Sequence, residues 1–250
     1  MGRGGNDMKT FPVMLRLLCL ATTAMVMGCT TIGVPDAAKR GEIDFGSPAT
    51  MRVCLLKDRE ISQERTDEIK AALQEELRLY GIEVTYPWLA PWDRPGFWSS
   101  TQLVGVMNMP LVPPCDRIFG LAGRHTGDFL WGIIMPEVLG VVEGQTFTRG
   151  FAVVELGSLN QLLSFADPES TAVHEGYHLL GCGHGLAMDD CYEHIKMMKI
   201  IAAQERERGN EFFPTVSNEG YILRTREEVD NVWYRLIQAT YAPDLPLEKN

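Results

Sequence analysis

Eleven consecutive residues constrain this chain more than any other feature: His174-Glu175-Gly176-Tyr177-His178-Leu179-Leu180-Gly181-Cys182-Gly183-His184. The pattern is H-E-x-x-H-x-x-G-x-x-H, and it uses three of the five histidines in the sequence. Residues four apart on an α-helix share a face, so His174 and His178 can present two imidazoles to a common point. Glu175 is rotated by about 100° from His174, which keeps its carboxylate out of the pair but beside it. A helix that ran on to His184 would carry that residue about 15 Å along the axis from His174. The helix must therefore stop and the chain must fold back. Gly181 stands where a left-handed residue can end a helix, and Gly183 adds freedom to the return.

Three imidazoles with one coordination position left open are the ligand set of a catalytic zinc ion. Zn2+ is therefore the expected cofactor, with His174, His178 and His184 as ligands. Glu175 has no role as a ligand. Its place suits a general base that takes a proton from an attacking water and then, as general acid, hands it to a leaving amine. The expected chemistry is hydrolysis of a peptide bond in a peptide or protein substrate. Two other functions use the same residues: a zinc site with a structural or partner-binding role, and an amidase acting on cell-wall peptide.

The start of the chain bears on where this chemistry would occur. Lys9 and Arg16 precede residues 17–27, an uncharged and mostly apolar run that suits a secretory h-region and is short for a membrane span. It ends in Val26-Met27-Gly28-Cys29, which resembles a bacterial lipobox. That resemblance implies a lipoprotein signal over 1–28, lipidation of Cys29, and attachment to a membrane through that residue. Residues 29–48, containing Gly, Pro and small residues, read as a tether, and 49–250 as a single catalytic domain. The expected location is the bacterial envelope, outside the cytoplasm. A net charge of −10 without a basic stripe argues against nucleic acid as a partner.

Of six cysteines, Cys19 falls in the signal and Cys29 at the lipid site, leaving Cys54, Cys115, Cys182 and Cys191. Four cysteines allow three pairings. Cys182–Cys191 is preferred because the two bracket His184 closely in sequence, and Cys54–Cys115 then follows by exclusion. In an oxidising compartment such bridges persist.

Periodicity and punctuation predict the framework. Strands are expected at 51–56, 82–86, 117–121 and 150–156, with an extended segment at 131–142 interrupted by Pro136. Helices are expected at 62–80 with Ser62 as N-cap, at 168–180 with Asp167 as cap and Pro168 at the first position, at 195–208 and at 224–240. Residues 87–98 read as a loop rich in proline and aromatics. Strand, helix, strand over 51–86 calls for a parallel crossover. The fold class is α/β (α+β): a mixed twisted sheet with an antiparallel edge strand, an active-site helix and a C-terminal helix.

The elongated motif, with this order of elements before and after it, resembles the metzincin clan of zinc peptidases. The stretches Arg117-Ile118-Phe119-Gly120 and Val153-Val154-Glu155-Leu156 are similar to archaemetzincin-like proteins. The chain departs from them in having Gly185, where they place a cysteine directly after the third histidine. The resemblance implies a methionine in a tight turn beneath the metal, for which Met197 and Met198 are the candidates. It also implies that an extended substrate pairs with an edge strand, here residues 138–142.

Overall fold

The computed structural model describes residues 32, 35–96, 98–124, 138–155, 167–185 and 187–241. The secretory run, Cys29, His125 and residues 131–137 of the expected extended segment lie outside them. The described residues belong to one unit spanning Ile32–Asn250.

Strand β1 (Ala49–Asp58) is the spine of the sheet. Its side chains alternate between faces. Met51, Val53 and Leu55 enter one buried cluster, while Cys54 and Leu56 enter another. Both faces are thus covered, which is why β1 reads as a nearly continuous apolar run.

Helix α1 (Ala37–Glu42) precedes β1, and helix α2 (Gln63–Arg78) follows it. Ser62 caps α2 by accepting from the Arg65 N–H at 3.0 Å. Ile69, Leu73 and Leu77 form the buried stripe of that helix. The chain then enters β2 (Ile82–Thr85), which pairs in parallel with β1 at Ala49↔Ile82. A further strand, β3 (Leu89–Trp92), pairs in parallel with the far end of β1 at Leu55↔Leu89. This corrects the reading of residues 87–98 as a loop. Pro91 is tolerated there because β3 lies at the edge of the sheet.

Helix α3 (Ser99–Met107), not anticipated from the sequence, leads to β4 (Arg117–Ala122), which is wholly buried and parallel to β1. Strand β6 (Arg149–Val153) is parallel to β4, and β5 (Gly140–Val142) is antiparallel to β6 at the edge. The sheet order is β2-β1-β4-β6-β5. The expected mixed α/β sheet with an antiparallel edge strand is therefore present.

Helices α2, α4 (Pro168–Leu179) and α5 (Asp189–Glu207) contribute to the cluster on one face. Helices α3 and α6 (Arg226–Tyr241) contribute to the other, with Phe212, Val229 and Trp233 buried there. A short hairpin, β7 (Thr215–Val216) with β8 (Ile222–Leu223), lies between α5 and α6. Helix α5 begins six residues earlier than the periodicity suggested, at Asp189.

Two expectations need correction. Residues 35–48, read as part of a tether, include α1 and a buried Phe45, so this stretch packs on the domain rather than spacing it. Met197 and Met198 lie in the interior of α5, where the backbone is helical and cannot form the tight turn expected of them. Met198 is fully buried and Met197 is 41% exposed. Cysteines pair as Cys54–Cys115 and Cys182–Cys191. Among the described residues, no helix is long and apolar enough to cross a membrane.

Candidate metal centre

The geometry of the site begins at the first turn of α4. Asp167 caps it by accepting from the Ser170 N–H at 2.6 Å, and Pro168 occupies the first turn, where its missing donor costs nothing. Arg65 of α2 pairs with Glu169. At Gly176, an added Cβ would lie 2.6 Å from Leu73 Cδ2, so a bare backbone lets α2 and α4 approach closely. The metal helix is thereby fixed to the body at both its start and its middle.

On this helix His174 and His178 face each other, with their Nε2 atoms 3.2 Å apart. Their ring centroids are 4.8 Å apart, and those of His184 lie 5.2 Å and 4.5 Å from His174 and His178. One ring nitrogen from each histidine falls within 4.8 Å of the others. Two nitrogens held by one tetrahedral ion at about 2.0–2.1 Å would lie roughly 3.3 Å apart. The spacing of the His174 and His178 nitrogens matches that figure. His178 Nδ1 donates to the Cys182 carbonyl at 2.7 Å, which leaves its Nε2 lone pair free for a metal. Burial and the neighbouring histidines press the His174 pKa down to about 4, and burial lowers that of His178. Both rings are therefore neutral at pH 7, the form that binds a cation.

The turn that brings His184 back is satisfied group by group. Gly181 has φ +90°, and its N–H donates to the His178 carbonyl at 2.8 Å. Leu179 O accepts from Arg117 Nε at 2.7 Å, and Leu180 O accepts from His194 Nε2 at 2.9 Å. A carbonyl can only accept, so the Nε2 of His194 carries the proton. Arg117 is fully buried, and its Nη1 and Nη2 groups also donate to the carbonyls of Asp116, Phe213 and Pro214 at 2.8–3.1 Å. Burial lowers its pKa to about 10, which still leaves a positive charge at the C-terminal end of the metal helix. The Cys182–Cys191 bond then joins the returning loop to the first turn of α5. His194 is thus a helix cap.

Glu175 lies beneath the edge strand. It is 5% exposed, and its Oε2 is buried with no hydrogen-bond partner. An ideal Cβ on Gly140 would lie 2.5 Å from Glu175 Cγ and 2.6 Å from Oε1. Only glycine at the start of β5 leaves room for this carboxyl group. In the metal-free chain, burial raises the Glu175 pKa to about 8. The turn after β5 is held by Glu143, whose carboxylate accepts from the N–H groups of Gln145, Thr146 and Thr148 at 2.8–2.9 Å. Gly140, Glu143 and His194 carry no motif signal. They meet the site only through the tertiary fold.

The site fits zinc on its own chemistry. His174 and His178 offer neutral imidazoles at zinc spacing with a His184 nitrogen within 4.8 Å of theirs, and the buried carboxyl that follows His174 in the chain has an unpartnered oxygen. No family model matches the chain, and no curated protein matches it. Among solved structures the chain is similar to an archaemetzincin from Methanopyrus kandleri, with 18% identity and a TM-score of 0.36 over 59% of this chain and 86% of that one. At that level of likeness, the functional reading rests on the geometry of this chain itself.

Proposed function

We propose that this chain is a zinc-dependent peptidase, held outside the cytoplasm by a lipid on Cys29. The observation that carries the catalytic part is the unpartnered Oε2 of buried Glu175, the residue directly after His174 in a chain whose three motif histidines converge. A purely structural zinc site gains nothing from a desolvated carboxyl group, whose burial without a partner is costly.

His174, His178 and His184 would hold the ion. When bound, zinc supplies a Lewis acid that polarises a carbonyl and lowers the pKa of water to about 7. Glu175 accepts the proton of the attacking water at its carboxylate and returns it to the leaving amine nitrogen. A nearby dication favours the charged form of Glu175, countering the upward push of burial, so the carboxylate becomes available as a base. The backbone of Gly140–Val142, paired on one side with β6, ends the sheet among the described residues and can accept an extended peptide. Val138, just before it, is 50% exposed.

The export part is supported by the lipobox-like Val26-Met27-Gly28-Cys29 and by the two disulfides, which persist in oxidising compartments. The test has two arms. Metal analysis of the full chain should give one zinc per chain, lost in His178→Ala. Expression in a bacterium should place the protein in the membrane fraction, and Cys29→Ser should release it. A metal-free wild type sinks the catalytic part. An unlipidated Cys29 sinks the anchoring part. Products from protein and from peptidoglycan distinguish a peptidase from a cell-wall amidase.

A further inference from the structure

His184 is the one expected ligand that is not on a helix, and it is exposed in a loop with glycines on both sides. Glycine neighbours give such a loop little order of its own. Part of its order comes from far away in the sequence. The Gly185 N–H, directly after His184, donates to the carbonyl of Ile32 at 2.9 Å. Ile32 is itself buried in the main core.

Residues 35–45 continue this contact onto the neighbouring elements. The Asp36 N–H donates to Tyr192 Oη at 3.2 Å, and the Asp36 side chain caps α1 through the Lys39 N–H at 3.0 Å. Lys39 pairs at 2.6 Å with Asp189, the first residue of α5. Arg40 lies 3.7 Å from Glu76 and over the ring of Tyr80. Phe45 packs edge-on against Tyr80 and Tyr192, with centroids 5.1 Å and 6.4 Å away. Tyr80 Oη is 2.6 Å from the Tyr177 hydroxyl, which belongs to the motif. Tyr177 in turn donates to Glu76. The segment therefore grips the loop of the third ligand and the start of α5, and reaches the Tyr177 side of α4 indirectly, through Tyr80 and Glu76.

We propose that Ile32 and residues 35–45 form a strap that positions the third ligand, so that undocking the strap loosens the metal. This rests on the zinc reading above. Apart from Ile32 and Phe45, the strap is largely exposed and held by surface pairs that contribute little each. It can thus be released without unfolding the sheet, and the chain immediately N-terminal to it is the natural handle. Metal retention would then respond to how residues 29–31 and the lipid proposed on Cys29 are held.

The test uses the full chain loaded with zinc. Two quantities are read: amide hydrogen exchange at Gly185 and α1, and the rate of zinc transfer to a chromogenic chelator. Wild type should show a protected Gly185. Ile32→Asp and Phe45→Ala should expose Gly185 and α1 and speed zinc release about 10-fold or more, as losses of supporting contacts do. Protection of β1 and β4 should persist. Ile32→Val should behave as wild type. Lys39→Asp, which leaves the core alone, should give a smaller effect that Asp189→Lys reverses. Exposed α1 and Gly185 with unchanged zinc release would overturn the proposal, as would an unprotected Gly185 in wild type. A wild type that binds no zinc refutes the zinc reading and the strap's effect on metal together. Exchange at Gly185 in the metal-free chain then shows separately whether the strap docks.

Discussion

Gly140 and Glu175 touch across the boundary between the edge strand and the metal helix: a Cβ on Gly140 would fall 2.5 Å from Glu175 Cγ. The smallest side chain therefore displaces the proposed base. Gly140→Ala should keep zinc bound, because the three histidines are untouched, and should lower kcat by about 100-fold, the effect of misplacing a reacting group by an ångström. Zinc content and peptide turnover measured on the same preparation check this. Undiminished turnover would show that Glu175 is not held by this contact.

Glu175 also sets a pH signature in the metal-free chain. Its pKa rises from the usual 4.5 to about 8 through burial. A raised folded-state pKa gives stability that is full below 4.5 and is lost as pH climbs through 8. His174 acts in the other direction. With its pKa lowered to about 4, stability is full above 6.5 and is lost as pH falls toward 4. Metal-free wild type should therefore lose stability on both sides of a weakly acidic optimum. Glu175→Gln should remove the alkaline loss, on the order of a few kcal/mol at pH 9. Thermal melts from pH 4 to 9 without metal would show the difference.

The return of the third ligand depends on Gly181 and His194. Gly181 has φ +90°, and a Cβ there would lie 2.6 Å from His194 Nε2. Gly181→Ala should cost about 1–3 kcal/mol in backbone strain and weaken zinc binding, because the turn must shift. His194→Ala removes the donor to Leu180 O and should weaken zinc by roughly 10-fold or more. Chelator competition measures both. Wild-type affinity in both variants would separate the turn from the metal.

The cap of the metal helix gives a cleaner pH test. The Ser170 N–H holds the Asp167 carboxyl below the usual aspartate range. A lowered pKa adds stability above about 3.9 that fades as pH falls through the folded value. Asp167→Ala should cost about 1 kcal/mol at neutral pH. The gap from wild type should narrow in strong acid. Denaturant titrations at pH 7 and pH 3 report it.

The ligand set was legible in the sequence because it is local. Helical spacing, one glycine and a cap suffice to place His174, Glu175 and His178, and the need to return His184 follows from helix rise. The strands β1, β4 and β6 were legible from their apolar runs, since both faces of the sheet are buried there, and β2 from its alternation of buried Ile82 and Val84 with exposed Glu83. What escaped was set by distant partners. β3 carries Pro91 and is a strand only because β1 offers it an edge. α3 contains Gly105, whose added Cβ would lie 2.7 Å from Pro95 Cγ, so packing rather than propensity selects that residue. Residues 35–48 look like a linker by composition, yet Phe45 finds Tyr80 and Tyr192. Met197 and Met198 sit where a resemblance expects a turn, but α5 begins at Asp189, soon after the motif, and holds both in a helix.

The central claim is that Glu175 performs proton transfer beside a zinc held by His174, His178 and His184. Its most direct test is cleavage of a mixed peptide library by zinc-loaded wild type and by zinc-loaded Glu175→Gln. The account predicts one zinc per chain in both, cleavage by wild type, and a loss of at least about 100-fold in the variant. One zinc per chain in both with equal cleavage, or with none in either, would contradict it.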